Sequence, residues 1–129
     1  MTAFILVGLG GILGANARYL LTVWAANRYG VDFPYGTFLI NVSGSLGIGL
    51  GITLLAAQAG DLPEARDLLI VGFFGAYTTF STFTYESVAL LRRREVGLGL
   101  VNMGGSMLMG IGGCLAGIAL GEVMTGWLR

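Results

Sequence analysis

Apolar residues run along the chain in four long blocks, 3–26, 36–59, 68–91 and 96–124, separated by short connectors that hold nearly all of the charge. Each block reaches the roughly 20 helical residues needed to cross a hydrocarbon core of about 30 Å, so the pattern predicts four transmembrane helices. The connectors carry Arg28 and Asp32, then Asp61, Glu64, Arg66 and Asp67, then Arg92, Arg93, Arg94 and Glu95. None has room for a soluble domain, and residues 1–129 read as a single four-helix transmembrane domain. The first block has no basic segment before it and runs past any small-residue cleavage site to Arg18 and Tyr19, so it is read as a mature helix rather than a signal peptide.

Composition agrees with the pattern. The 129 residues are 55% hydrophobic and 11% charged, with a mean hydropathy of +0.81, whereas a soluble domain is about 25% charged. The expected class is an all-α integral membrane protein. Histidine and lysine are both absent, which removes imidazole proton relays, histidine-ligated metals, Schiff bases and phosphate-binding lysines. Cys114 is the only cysteine, so no disulfide framework or thiolate cluster exists. Zero net charge and no basic tract leave no footprint for nucleic acid, and no nucleophile and base constellation marks an enzyme.

Four spans put both termini and the second connector on one side of the membrane. Arg66 and Arg129 then stand against Arg28, Arg92, Arg93 and Arg94 on the other. Arginine asymmetry sets orientation, and this bias is small. Two readings stay open: a fixed topology with the Arg92 end cytoplasmic, or insertion in both directions. No repeat of residues relates the first two spans to the last two, so inverted symmetry would need two copies of the chain.

Within the spans, small and polar residues carry the information. Gly10 and Gly14, Gly47 and Gly51, the series Gly113, Gly117 and Gly121, and Ser106 with Gly110 are spaced four apart, lining helix faces that allow close approach. Most are expected to pack helices within one chain and some to join chains. The run from Gly8 to Gly14 imitates a dinucleotide-binding loop, but that fingerprint needs a preceding strand and a βαβ unit, and these glycines lie inside an apolar span. Asn41 lies about one turn inside the second span, where its amide either fixes helix packing or replaces part of an anion's hydration shell.

The third span holds the run Gly75, Ala76, Tyr77, Thr78, Thr79, Phe80, Ser81, Thr82 and Phe83. Polar groups at this depth face protein, water or an ion path, because each unpaired one in hydrocarbon costs roughly several kcal/mol. The crowding of glycine and hydroxyl residues predicts a break in the helix. Freed carbonyls suit a small hard cation; freed donors and hydroxyls suit an anion. Phe80 and Phe83 share a helical face, either as core aromatics or as ring edges, positive in their quadrupole, that attract an anion weakly enough to release it. On the fourth span Asn102, Ser106 and Cys114 form one stripe with Gly110, facing the bundle interior or a water-filled path. Arg18 and Glu86 are the intramembrane charges, with Glu122 near the end of the last span. Arg18 is a candidate for drawing anions into a vestibule, and Glu86 has no assigned role.

Taken in order, these segments resemble the Fluc (CrcB) family of fluoride channels over nearly the whole chain. The resemblance is carried by the run from Gly10 to Tyr19, by Pro34, Tyr35, Gly36 and Thr37 with Asn41 and Gly44, and by Gly75 to Phe83. It implies a dual-topology homodimer of antiparallel four-helix chains with two fluoride pathways and a structural sodium ion at its centre, held by backbone carbonyls of Gly75 and Thr78 from both chains. It also implies an anion pathway through Asn41, Phe80 and Phe83, with Thr79, Ser81 and Thr82 beside them and Asn102 and Ser106 on the fourth span. The chain carries Gly110 and Cys114 where hydroxyl residues often stand in the family, and Ala76 where glycine is common.

The implied activity is passive export of F⁻ across a prokaryotic inner or plasma membrane, which reduces fluoride toxicity. Two other classes compete. A small antiparallel exporter of organic cations has similar size, but its mechanism usually needs a carboxylate in the first span, and this first span has none. A non-transporting assembly subunit would account for the glycine faces alone.

Overall fold

The computed structural model describes residues 1–58 and 62–127. Ala59 and Asp61, at the end of the second apolar block and in the connector after it, lie outside the described residues, as does Arg129. Four helical spans are long and apolar enough to cross a membrane, and no strand occurs among the described residues. The first helix is Thr2–Tyr29 and the second Tyr35–Ala56. The first ends at Gly30, whose φ of 83° lies in the left-handed region that glycine enters without steric penalty.

The third span, Pro63–Arg92, is two helices in line. Its N-terminal arm, residues 63–77, starts with Pro63 in the first helical turn, where a missing N–H does no harm. The arm is wound as a π-helix over Arg66–Phe74 and returns to α geometry at Gly75–Tyr77. Thr78 (φ −76°, ψ 157°) and Thr79 (φ −150°, ψ 112°) are extended. The C-terminal arm, Phe80–Arg92, then restarts the helix, and a tight turn through Arg94 leads to the fourth helix, Val96–Trp127.

Glycine decides which helices touch. The first helix lies along the N-terminal arm, and a Cβ on Gly10 would strike the Leu68 carbonyl, one on Gly14 the Phe73 carbonyl. The second helix lies along the fourth: a Cβ on Gly117 would strike the Leu46 carbonyl, and one on Gly121 would come 2.7 Å from Thr53 Cβ. Gly47 and Gly51 face the Phe74 ring and Ile70 of the N-terminal arm. These rows, expected to be shared between packing within a chain and contacts between chains, are thus occupied by neighbours within the chain.

The interior is accordingly small and partly polar. Ala25, Ile40 and Leu90 are the buried hydrophobic residues among those described, accompanied by glycines and by Thr37, Thr79, Ser87, Asn102 and Ser106. Large apolar side chains point outward on every helix. This inversion of the soluble pattern belongs to a multi-pass membrane protein, whose backbone polar groups are satisfied inside helices and whose exterior meets lipid tails.

Candidate ion site at the helix break

The break lies halfway along the 30-residue third span. Thr79 restarts the helix as its N-cap: its Oγ1 accepts the Thr82 N–H at 3.3 Å, the cap-to-third-residue bond that satisfies an otherwise orphaned donor. The same oxygen lies 2.9 Å from Thr82 Oγ1 and 3.4 Å from Ser81 Oγ, which gathers three hydroxyls within the first turn. Thr79 is buried, whereas Ser81 and Thr82 are exposed.

Asn41 holds the break from the second helix. Its Oδ1 accepts the Thr79 N–H at 2.9 Å, and its Nδ2 donates to the Thr79 carbonyl at 3.1 Å. One side chain therefore pairs both backbone groups of an extended residue in mid-membrane, where water cannot. The amide fixes packing, and it also lines the cavity described below with one N–H still unassigned.

These bonds also determine which carbonyls are released. In an unbroken helix the Thr79 N–H would close onto Gly75 and the Thr82 N–H onto Thr78. Both donors are diverted, the first to Asn41 and the second to Thr79 Oγ1. The carbonyls of Gly75 and Thr78 thus lose their helical partners, and Gly75 is exposed. The break presents carbonyl oxygens from the end of one helix and unpaired N–H groups from the start of the next, with opposite dipole signs.

Beside the break a groove of about 680 Å³ is lined by Asn41, Ser45, Thr78, Thr79, Phe80, Phe83, Met103 and Ser106, among others, and every residue lining it is uncharged. Phe80 is 80% exposed and its ring centroid lies 5.9 Å from that of Phe83, the planes tilted by 45°. Of the residues singled out from sequence, Asn41, Thr79, Phe80, Phe83 and Ser106 are thus brought together. Ser81 and Thr82 join them through the Thr79 hydroxyl rather than by lining the groove.

Other candidates fall elsewhere. Asn102 is fully buried and lines neither this groove nor the second cavity; it donates to Ser87 Oγ at 2.9 Å and accepts from Ser106 at 3.4 Å. Cys114 is half-buried, its carbonyl where a Cβ on Gly49 would go. Arg18 is half-buried on the first helix and lines neither cavity. Glu86 lines the second cavity, about 230 Å³, at the arginine-bearing end with Thr37, Asp32 and Arg93; its Oε2 is buried without a partner among the described residues.

Two polar residues at or behind the groove were not singled out from sequence. Ser45 lines the groove one helical turn after Asn41, a spacing that signals a shared face. Ser87, one turn after Phe83, donates to the Phe83 carbonyl at 2.8 Å and receives Asn102.

Residues 5–118 match the family described as CrcB-like protein, Camphor Resistance (CrcB). The chain is 44% identical over 119 residues to the fluoride-specific ion channel FluC of Acidobacterium capsulatum, covering 92% of this chain and 95% of that one. It is 40% identical over 126 residues to the fluoride-specific ion channel FluC of Chloroflexus aurantiacus strain J-10-fl, covering 98% and 100%. Against the protein of the same name from Synechocystis it is 45% identical over 117 residues, covering 91% and 90%. With a match that spans all four helices and includes the broken third, the chain belongs to the CrcB family.

Proposed function

We propose that this protein is a fluoride-selective channel, not an enzyme, that lets F⁻ leave the cytoplasm passively through the cell membrane. The observation that carries the reading is the groove at the break: neutral amide, hydroxyl and phenyl groups at mid-membrane, in a chain whose relatives bear the fluoride-channel name. F⁻ is small and strongly hydrated, so a path must replace its water with dense donors. Asn41 Nδ2, the hydroxyls around Thr79 and Ser106, and the first N–H groups of the C-terminal arm are donors of that kind. The edges of Phe80 and Phe83 add a weak positive field. Hydrogen fluoride that diffuses inward ionises in a near-neutral cytoplasm, and the interior-negative potential then drives the anion out by about 2.3 kcal/mol per charge per 100 mV.

The working unit is a homodimer of oppositely inserted copies. Two observations support it. Ser81 and Thr82 are exposed at mid-membrane and the polar groups of the groove stand open, which lipid would not satisfy and a second copy would. The break also lies at the midpoint of its span, so a two-fold axis in the membrane plane brings both copies' breaks to one depth.

The carbonyls of Gly75 and Thr78, freed as described, form a hard oxygen donor set. Contributed by two copies, they fit a structural sodium ion, which would balance the convergence of carbonyl dipoles at the seam. Sodium is a resident ion in this reading and fluoride the permeant one.

Fluoride-loaded liposomes reconstituted with purified protein and read with a fluoride electrode test the function. Rapid F⁻ release with Cl⁻ retained is expected. Absence of F⁻ release, or equal release of Cl⁻, overturns the reading.

A further inference from the structure

Asn102 sits at a junction of hydroxyl groups whose proton directions follow from geometry. Ser87 Oγ lies 2.8 Å from the Phe83 carbonyl, which can only accept, so the single Ser87 proton is used there. Ser87 therefore meets Asn102 as an acceptor, and the amide atom 2.9 Å from it is Nδ2. Oδ1 is thereby turned toward Ser106, 3.4 Å away, and takes the Ser106 proton. Amide orientations are assigned through such chains of obligation, and here each link leaves one choice.

Of Ser87, Asn102 and Ser106, only Ser106 lines the groove. With its proton on Asn102 it offers the groove lone pairs, which repel an anion. With its proton swung outward it offers a donor. At 3.4 Å its bond to Asn102 is long for an O–H···O contact, so the bond yields readily when an anion arrives and re-forms when the anion leaves. Asn102 does not follow the proton, because it is 0% exposed and tied to Ser87, itself 3% exposed.

We propose that Asn102 is a positioning residue that competes with the permeating anion for the Ser106 proton, and so sets how long the groove retains the ion. The inference rests on the fluoride reading above and adds a residue that does not itself touch the path. Ser87 takes part from outside the groove, because its donation to Phe83 fixes which end of the Asn102 amide faces Ser106.

The test uses purified full-length protein, sodium fluoride titrated by calorimetry, and initial efflux rates from liposomes. Asn102→Leu keeps the side-chain size and removes the acceptor, which frees the Ser106 proton. The fluoride Kd is expected to fall about two- to tenfold, the worth of one ordinary hydrogen bond, with slower efflux at saturating fluoride. Ser87→Ala, which lets the amide turn its Nδ2 to Ser106, is expected to shift Kd in the same direction and carries the test alone if Asn102→Leu does not fold. In a Ser106→Ala background neither change should move Kd.

An unchanged or weakened affinity in Ser87→Ala or in folded Asn102→Leu overturns the inference, as does a shift that persists without the Ser106 hydroxyl, since a merely structural role would produce that. If the unmodified chain passes no fluoride, the channel reading falls and this inference with it; if it passes fluoride while the variants behave as wild type, this inference alone falls.

Discussion

Truncating Asn41 to alanine removes two hydrogen bonds of 2.9 and 3.1 Å and leaves both backbone groups of Thr79 without a partner. Thr79 is 7% exposed, so water cannot replace the amide without opening the bundle. A lower bound comes from interhelical hydrogen bonds in membranes, which average about 0.6 kcal/mol each, or about 1 kcal/mol for the pair. The upper bound is set by the orphaned N–H and C=O, at about 1–3 kcal/mol apiece and so up to about 6 kcal/mol. Against a total stability of about 5–15 kcal/mol, the top of that range unfolds much of the population only when stability sits near the lower end.

Asn41→Asp separates the two bonds. Ionised, it keeps an oxygen for the Thr79 N–H but sets a second oxygen against the Thr79 carbonyl, so destabilisation is expected at high pH, whereas the protonated acid donates to that carbonyl and should recover stability at low pH. The assay is unfolding in SDS-containing mixed micelles beside fluoride efflux from liposomes. Destabilisation of at least about 1 kcal/mol and a fall in efflux of about tenfold or more are the expected results, the smaller shift set by the paired bonds. An alanine variant that unfolds at the wild-type midpoint and conducts at the wild-type rate refutes the claim that this amide holds the break.

Replacing Phe80 or Phe83 by isoleucine preserves bulk and removes the ring edge, so fluoride efflux should be lost while the dimer persists on crosslinking; loss of the dimer instead assigns the rings to packing. Gly14→Ala drives a Cβ into the Phe73 carbonyl and should destabilise by about 1–3 kcal/mol in an unfolding titration. Gly104→Ala meets nothing within 4 Å, although the residue lines the groove, and should stabilise its helix by up to about 1 kcal/mol. Substituting N-methylglucamine for sodium on both sides of the liposome should reduce efflux and lower thermal stability, and re-addition of sodium should restore both. Single-cysteine crosslinks at the Arg92 end should form between copies only in pairings that oppose the two ends, and parallel crosslinks in active protein would end the antiparallel arrangement.

The four spans were legible because hydropathy is a local property and length alone decides whether a helix crosses. The break was legible for a related reason: a hydroxyl that caps a helix at Thr79 is a local signal placed where hydrophobicity says the helix should continue. The π-winding of Arg66–Phe74 was not, since no residue pattern within the arm marks it. It follows the face of the first helix, where a Cβ on Gly72 would come 2.8 Å from the Val7 carbonyl and 3.0 Å from Gly10 Cα. The stripe on the fourth helix placed Asn102 and Ser106 on one side correctly, since both are buried. It could not tell the residue that lines the groove from the one behind it, because that difference depends on where the C-terminal arm brings Ser87.

In the proposed reading, neutrality of the groove is itself a requirement of passage. A unit charge about 4 Å from the ion, at an effective dielectric of about 20, would add about 4 kcal/mol of attraction. That is nearly a thousandfold longer residence, since every 1.4 kcal/mol is tenfold. Arg18 lines neither cavity, and Glu86, whose charge would repel the ion by a similar amount, lines the other one rather than the groove. Several groups at the break are already engaged with one another, Thr79 Oγ1 with Thr82, Asn41 with Thr79 and Ser106 with Asn102, while the first N–H groups of the C-terminal arm and one Asn41 N–H stand free. In the proposed reading an entering anion takes up the engaged groups by exchanging one hydrogen bond for another of similar strength, and each of those groups has an internal partner to return to when the ion moves on. Selection by donor density and rapid release therefore have the same structural cause, and a cation placed among the groove residues should increase fluoride binding while it slows conduction.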